Sequence, residues 1–331
     1  MRSLPTDTFE RIANPEAIWR AWRQAVAGKR YGPAVARELP EMDRTCFALA
    51  RELRDGRYTP APWRLRILHD PKPRLIAAPA VCDRVVHRAL INAIGEHFTR
   101  RAIPTHFTRG AGQGLHQALL YLLAANRRHG WRMHLDIARY FPSVDHEILA
   151  GLLCREIRDT RVHALIRLLL ASGLSVYRSP EARRLGLGPP PPGARPCGLP
   201  LGSWLSQWAG AFYLNGLDHH LKREVGIPSY LRYMDDFVLL DDDRARLVDA
   251  RSAIAEWLER ERRLALNPKQ GRICPTSEPA VMLGHRVSRS GITPAGRMRR
   301  RMKARIAAAA ERGPEDLERT LASYRGLMWI R

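Results

Sequence analysis

The sequence predicts an α+β fold in which antiparallel strands pack on helices. First, short β-prone or alternating runs come in pairs around tight polar turns, at 63–68 with 74–78 and at 230–233 with 237–240. Second, longer stretches repeat apolar residues at helical spacing, as in Val85, Val86, Ala89, Leu90, Ala93, Ile94 and Phe98. Third, 331 residues with 45% apolar content suffice for two or three packed subdomains.

In chain order, Asn14-Pro15-Glu16 is a helix start, with a capping residue, a proline in the first turn and then an acid. That helix carries Ile18, Trp19 and Trp22 and stops near Gly28. A second helix is expected over about 42–53. The hairpin that follows turns through Asp70-Pro71-Lys72-Pro73, which brings Lys72 close to Arg74. Asp83 is placed to cap the next helix. Residues 108–114 hold three glycines with Arg109 and Gln113, but they lack the Lys-Ser/Thr ending of a phosphate-cradling loop. Another helix carries Leu115, Leu119, Leu122 and Leu123. Residues 131–137 alternate as a strand with Asp136 at its C-terminal end. A carboxylate has no reason to be in a buried sheet there unless it is used.

Ser143 is expected to cap a helix carrying Ile148, Leu149, Leu152 and Leu153, and a further helix spans about 162–171. Residues 172–197, with a proline run at 189–192, read as an exposed insertion loop. A long helix then runs from about 203 through Ser206-Gln207 to about 223. Residues 244–262 form an amphipathic helix, 264–269 a short strand and turn, and 281–287 a strand turning at Ser290-Gly291. From Pro294 a helical unit begins, with Met298, Met302 and Ile306 on one face and basic residues around them. Gly313-Pro314 breaks it before a last helix.

Composition narrows the function. Lys+Arg number 55 against 33 Asp+Glu, a formal net charge of +22. That excess implies a polyanionic partner, nucleic acid ahead of an anionic membrane. No apolar run reaches the roughly 18 residues of a membrane span, and Asp7, Glu10 and Arg11 interrupt any signal core, so a cytoplasmic protein with no membrane partner is expected. The five cysteines lack C-x-x-C spacing and read as reduced thiols, not zinc ligands.

The chemistry converges on the run from Tyr230 to Leu240, a hairpin with Met234-Asp235 at its tip and Asp236 beside it. Adjacent carboxylates on a tight turn repel each other and resist burial; a hard divalent cation with oxygen ligands removes that penalty. With Asp136 on a neighbouring strand, three carboxylates would make a two-metal site for phosphoryl displacement, with ions about 3.5–4 Å apart. A solvated Asp-Asp turn is the alternative for the tetrapeptide alone.

Six segments in this order resemble the reverse transcriptase family over nearly the whole chain. They are 70–76 with 83–87, Asp136-Ile137-Ala138-Arg139-Tyr140-Phe141-Pro142-Ser143-Val144-Asp145-His146, Gly198-Leu199-Pro200-Leu201-Gly202-Ser203-Trp204-Leu205-Ser206-Gln207, Tyr233-Met234-Asp235-Asp236, Leu266-Asn267-Pro268-Lys269 and Leu283-Gly284-His285. The resemblance implies a right-hand polymerase fold. Residues 1–130 would be an N-terminal extension and fingers, 131–292 the palm with an insertion loop at about 172–197, and 293–331 a helical thumb.

It also implies an RNA-directed DNA polymerase that uses two Mg²⁺ ions, or Mn²⁺, with template RNA, the RNA/DNA hybrid and dNTPs as partners. Asp136 and Asp235 would be metal ligands, with the Ile137 carbonyl, and Asp236 the third carboxylate. Lys72 and Arg74 would contact the incoming triphosphate. Phe141 matches the steric gate against a ribose 2′-OH, and Gly202 bounds the nucleotide pocket. Gln207 would position template or helix. Lys269 would give a proton to leaving pyrophosphate. Leu283, Gly284 and His285 match the primer grip, and Arg297, Arg300, Arg301 and Lys303 would hold template–primer.

The Gly-x-x-x-Ser-Gln form, the Asp-Pro-Lys-Pro-Arg run and the short length look most like reverse transcriptases of diversity-generating retroelements, which copy a template RNA with errors at adenine and work with a small basic accessory protein. Leu201 stands where many reverse transcriptases carry glutamine, which predicts loosened base positioning. An antiphage-defence, retron-like or group II-like reverse transcriptase is the alternative, and a non-catalytic RNA-binding protein on this scaffold is the alternative of another class.

Overall fold

The computed structural model describes residues 3–27, 40–69, 72–108, 114–188 and 193–328. Mixed helices and antiparallel sheets make the α+β fold that the sequence predicts. The chain forms two compact units, each built from separated segments: residues 1–102, 139–215 and 259–264 in the first, and 103–138, 216–258 and 265–331 in the second.

In the first unit, helix α1 (Pro15–Val26) is capped as expected, the Asn14 side chain accepting from the Ala17 amide at 2.8 Å. Its Ile18, Trp22 and Val26 are buried, and it packs on α3 (Val81–Thr99) and α2 (Met42–Arg54). Asp83 does not cap α3. The helix starts earlier, after Ala80, and the buried Asp83 carboxylate accepts from the Tyr58 hydroxyl and the Ala61 amide. Strands β1 (Arg64–Leu68) and β2 (Arg74–Ala78) make the predicted hairpin. It packs on a small core containing Leu75, Ala77, Val176, Tyr177 and Ala182.

That core corrects the loop reading of 172–197. Two short helices, Leu174–Tyr177 and Pro180–Arg184, fill part of it because they bury side chains beneath the hairpin. The proline run at 189–192 lies outside the described residues, as do Asp70, Pro71 and 109–113 of the glycine-rich stretch.

Helix α5 (His146–Cys154) is capped by Asp145, not Ser143. The Asp145 carboxylate accepts from the Glu147 and Ile148 amides, and Ser143 instead ends a preceding helical turn, Tyr140–Ser143. Helix α6 (Thr160–Ser172) follows Asp159, whose side chain caps it. The long helix expected over 203–223 is broken into α7 (Trp204–Tyr213) and α8 (Asn215–Arg223). The buried Arg262 guanidinium takes the Tyr213 carbonyl at 2.7 Å, so that carbonyl is spent outside the helix ladder.

In the second unit, β4 (Ser229–Tyr233), β5 (Asp236–Asp241), β3 (Trp131–Leu135) and β6 (Ile273–Pro275) form an antiparallel sheet in the order β4-β5-β3-β6. Helix α4 (Leu115–Arg128) supplies Leu119 and Leu122 to a core shared with Leu231, Val238, Leu240, Met282 and Val287. Helix α9 (Arg244–Trp257) packs on β5 and β3.

The single strand expected at 281–287 is a hairpin, β7 (Ala280–Met282) and β8 (His285–Val287), joined by Leu283-Gly284. Both turn residues have positive φ, +50° and +80°, the geometry of a tight hairpin turn in which Gly284 costs nothing. Strand β9 (Ile292–Pro294) completes a three-stranded sheet. Helices α10 (Gly296–Arg312) and α11 (Pro314–Met328) follow, split at Gly313-Pro314 as the sequence predicts. Among the described residues no helix is long and apolar enough to cross a membrane, and none of the five cysteines is in a disulfide.

Candidate active site

The second unit gathers the acids. Strand β3 pairs antiparallel with β5, Leu135 opposite Phe237, so Asp136 emerges from the sheet beside Asp236. Tyr233 pairs with Asp236 across the β4–β5 hairpin, which leaves Met234-Asp235 as a two-residue tip. Met234 has φ +60°, the positive-φ turn position that lets right-twisted strands close tightly. Backbone topology thus delivers Asp136, Asp235 and Asp236 to one end of one sheet.

The electrostatics follow from that placement. The Asp235 carboxyl is pushed up to about 6, first by burial and then by the charge of Asp136, to which its side chain also hydrogen-bonds. Two acids held this close favour a shared proton or a counter-cation. Hard oxygen donors and mutual repulsion suit Mg²⁺. Among the described residues no group of three His, Cys, Asp or Glu is arranged to hold a metal ion. The pair is Asp136 with Asp235; the Asp236 carboxylate bonds the ring of His134. The bridge from Ile137 to Leu266 uses the Asp136 carbonyl and the Ala138 amide, so the Ile137 carbonyl stays outside it.

Three supports escape a reading of the sequence. Asn267 donates from Nδ2 to Asp136 Oδ2 at 3.1 Å, and its Oδ1 accepts from the Lys269 amide at 3.1 Å, so one side chain fixes both the acid and the turn that carries Lys269. Lys269 itself is exposed. His134 faces Asp236; strand alternation put His134 and Asp136 on one face, which was the available signal. The third support is a buried Arg232–Asp218 pair behind the hairpin.

The same unit holds the candidate primer and template contacts. Leu283 is half-buried and Gly284 exposed, but the His285 side chain is buried, with Nδ1 against the Leu283 carbonyl. Arg297, Arg300, Arg301 and Lys303 are exposed on α10, while Met298, Met302 and Ile306 form its half-buried stripe.

The first unit holds the candidate nucleotide contacts. Lys72 and Arg74 are exposed on the β1–β2 hairpin, and Gln207 is exposed on α7. Leu201 is half-buried, and its carbonyl accepts from the Ala77 amide of β2 at 2.6 Å. Gly202 has φ +114°, and a Cβ there would sit 2.6 Å from the Ala77 carbonyl oxygen. Only glycine permits that approach. Ser203 caps α7 and meets the buried ring of His87 at 3.3 Å. Burial pushes His87 down to about 4, so the ring is neutral near pH 7. Phe141 is half-buried, edge-on to Tyr140 with centroids 5.4 Å apart, and its carbonyl accepts from the Leu199 amide. Residues 199–203 thus tie β2, α3 and Phe141 together within this unit.

A family model described as reverse transcriptase (RNA-dependent DNA polymerase) matches residues 69–287. Protein YkfC of Escherichia coli strain K12 is 24% identical, the match covering 73% of this chain and 70% of that protein. Among solved structures, apo telomerase from Candida tropicalis matches 72% of this chain with a TM-score of 0.49 at 9% identity. Telomerase from Candida albicans, in complex with a TWJ fragment of telomeric RNA, matches 72% with a TM-score of 0.46 at 11% identity. The chain spans 49% and 46% of those two chains.

Proposed function

Because the chain belongs to the reverse transcriptase family, we propose that it is an RNA-directed DNA polymerase that makes cDNA from an RNA template at the Asp136–Asp235 pair. The observation that carries this reading is that pair: one acid just past β3 and one at the β4–β5 tip, hydrogen-bonded to each other, with Asp235 raised to about 6. The arrangement is costly unless positive charge joins it. The right-hand polymerase fold of the family supplies the frame, with the β3–β6 sheet as palm, the β1–β2 hairpin as part of the fingers and α10–α11 as thumb.

Asp136, Asp235 and the Ile137 carbonyl would hold divalent metal, Mg²⁺ or Mn²⁺. Such ions activate the attacking hydroxyl and neutralise charge on the transferring phosphate. Asn267 keeps Asp136 oriented. Asp236 stays within the same field, tied to His134. Lys72 and Arg74 bind the triphosphate of a dNTP, and Phe141 excludes a 2′-OH. Gly202 lets the loop before α7 lie against β2. Lys269, on the turn that Asn267 orders, is the proton donor for pyrophosphate. The exposed basic face of α10, with the Leu283-Gly284 turn, grips template–primer through phosphate contacts. The buried His285 supports that turn from below.

The finer assignment is an error-prone enzyme of a diversity-generating retroelement, in the cytoplasm, working with a small basic accessory protein. The apolar Leu201 supports it, because no hydrogen bond from that side chain can hold the incoming base. Primer extension on poly-rA/oligo-dT with Mg²⁺ tests the activity, and Asp235→Ala must abolish it. Sequenced cDNA from Leu201→Gln against wild type tests the subtype: fewer errors opposite template adenine are expected, and identical spectra sink the assignment.

A further inference from the structure

Behind the acidic hairpin lies a buried charge pair that the polymerase reading leaves without a task. Arg232 on β4 and Asp218 on α8 both have fully buried side chains. The guanidinium is bidentate to the carboxylate, Nε to Oδ1 at 2.7 Å and Nη2 to Oδ2 at 2.6 Å. The Tyr230 hydroxyl donates to Oδ1 as well, at 2.7 Å. The backbone of Arg232 is pinned on the strand's outer side, its amide to Thr105 and its carbonyl to the Phe107 amide. One donor reaches forward: Nη1 bonds the Met234 carbonyl at 2.8 Å.

Met234 is the positive-φ residue of the turn and Asp235 follows it directly. A side chain with a Cβ disfavours that backbone conformation, so an unrestrained turn would relax. The carbonyl that Arg232 holds belongs to the peptide that carries the Asp235 nitrogen.

We propose that Arg232, oriented by Asp218 and Tyr230, is a positioning residue: it clamps the Met234 carbonyl, holds the hairpin tip in its strained shape and thereby sets the place of the Asp235 carboxylate against Asp136. Lysine cannot replace it, because a single ammonium lacks the planar fork that serves Asp218 and the Met234 carbonyl together. Aspartate 218 is needed for the same reason, as a bidentate acceptor that fixes the guanidinium plane.

This inference rests on the polymerase reading only for its activity readout; metal affinity reads it independently. The experiment measures Mn²⁺ binding by electron paramagnetic resonance without nucleotide or nucleic acid, alongside primer-extension kinetics and the thermal midpoint. In Arg232→Lys, a displacement of about 1 Å at Asp235 is expected to lower kcat about 100-fold. The KM for dNTP should stay within about threefold and Mn²⁺ affinity should fall about tenfold, because the shift weakens one ligand of the pair. Adding Met234→Gly, which removes the strain, should recover at least about tenfold of kcat.

Asp218→Leu with Arg232→Met and Tyr230→Phe removes the clamp without leaving a buried charge or an unpartnered hydroxyl and should keep the fold while losing kcat and Mn²⁺ affinity. Wild-type kcat and Mn²⁺ affinity in either folded variant overturn the proposal. So does an Arg232→Lys defect that Met234→Gly leaves unchanged, or unfolding of both variants, which would make the pair a folding requirement only. An inactive wild type that still binds Mn²⁺ sinks the polymerase reading and leaves the clamp testable by affinity.

Discussion

The two ends of the proposed chemistry are built on opposite plans. In the second unit, like charges are forced together: Asp136 and Asp235 share a hydrogen bond, Asn267 holds one acid, and the Arg232–Asp218 pair stands behind the other. In the first unit, like charges are set out in water: Lys72 and Arg74 are exposed on a two-stranded hairpin whose other face is buried. Holding an acidic pair takes preorganised neighbours, because repulsion and desolvation oppose it. Presenting basic side chains to a polyphosphate takes only a well-placed backbone, here fixed by the Leu201 carbonyl and Gly202 against β2.

Neutralising one acid breaks this contrast most sharply. Asp235→Asn should reduce primer extension at least about 10⁴-fold, since removing a charge that acts on the transition state costs far more than one binding contact. It should also raise stability in metal-free buffer at pH 7–8. The folded carboxyl titrates at about 6, above its ordinary value of 3.8. A raised carboxyl stabilises the fold fully below the unfolded value and loses that contribution as pH climbs through the folded one. Metal-free wild type should therefore lose on the order of 2–3 kcal/mol between pH 4 and 7 from this group, and the variant should not. Denaturant melts across that pH range check it. A wild-type profile that matches the variant's would mean that the Asp235 carboxyl is not raised.

The next largest effect belongs to the basic side. Gly202→Ala places a methyl carbon 2.6 Å from the Ala77 oxygen at φ +114°. Strand β2 must move, so a loss of about 1–3 kcal/mol is expected, with a several-fold rise in the KM for dNTP as Arg74 shifts with its strand. Stability by denaturant titration and dNTP titration of initial rates measure the two.

The smallest structural effect is expected at the charges themselves. Lys72→Ala and Arg74→Ala should leave stability within about 0.5 kcal/mol, yet each should raise the KM for dNTP about tenfold at low salt, an effect that narrows as salt screens it. A loss of kcat with unchanged KM would place these side chains elsewhere in the mechanism.

Local signals made much of this legible. The hairpin tip at Met234-Asp235, the strand ending at Asp136 and the amphipathic stripe of α10 are each patterns confined to a few neighbouring residues. What escaped the sequence depends on partners far along the chain. Asp83 has the composition of a cap, but Tyr58 and the Ala61 amide claim it. Asn215-Gly216 offered a local break signal after Leu214, but the Arg262 guanidinium that takes the Tyr213 carbonyl there lies far along the chain. Asn267 looks like a turn residue until Asp136 lies beside it. Arg232 reads as one more charge on a basic protein, and Asp218, fourteen positions earlier on a helix, gives no sign of being its partner.

The interleaving of the two units bears on how the chain is made. Neither unit can be cut out as one continuous piece, because residues of the other lie between its segments. During synthesis β3 leaves the ribosome about a hundred residues before β5, its neighbour in the sheet. At roughly 5–20 residues per second that is a wait of about 5–20 s. For that interval Met133 and Leu135, buried in the finished sheet, lack β5 as a partner. Nascent chains stalled with β3 outside the ribosome and β5 still inside it should therefore engage chaperones more strongly than chains stalled after β5 has emerged.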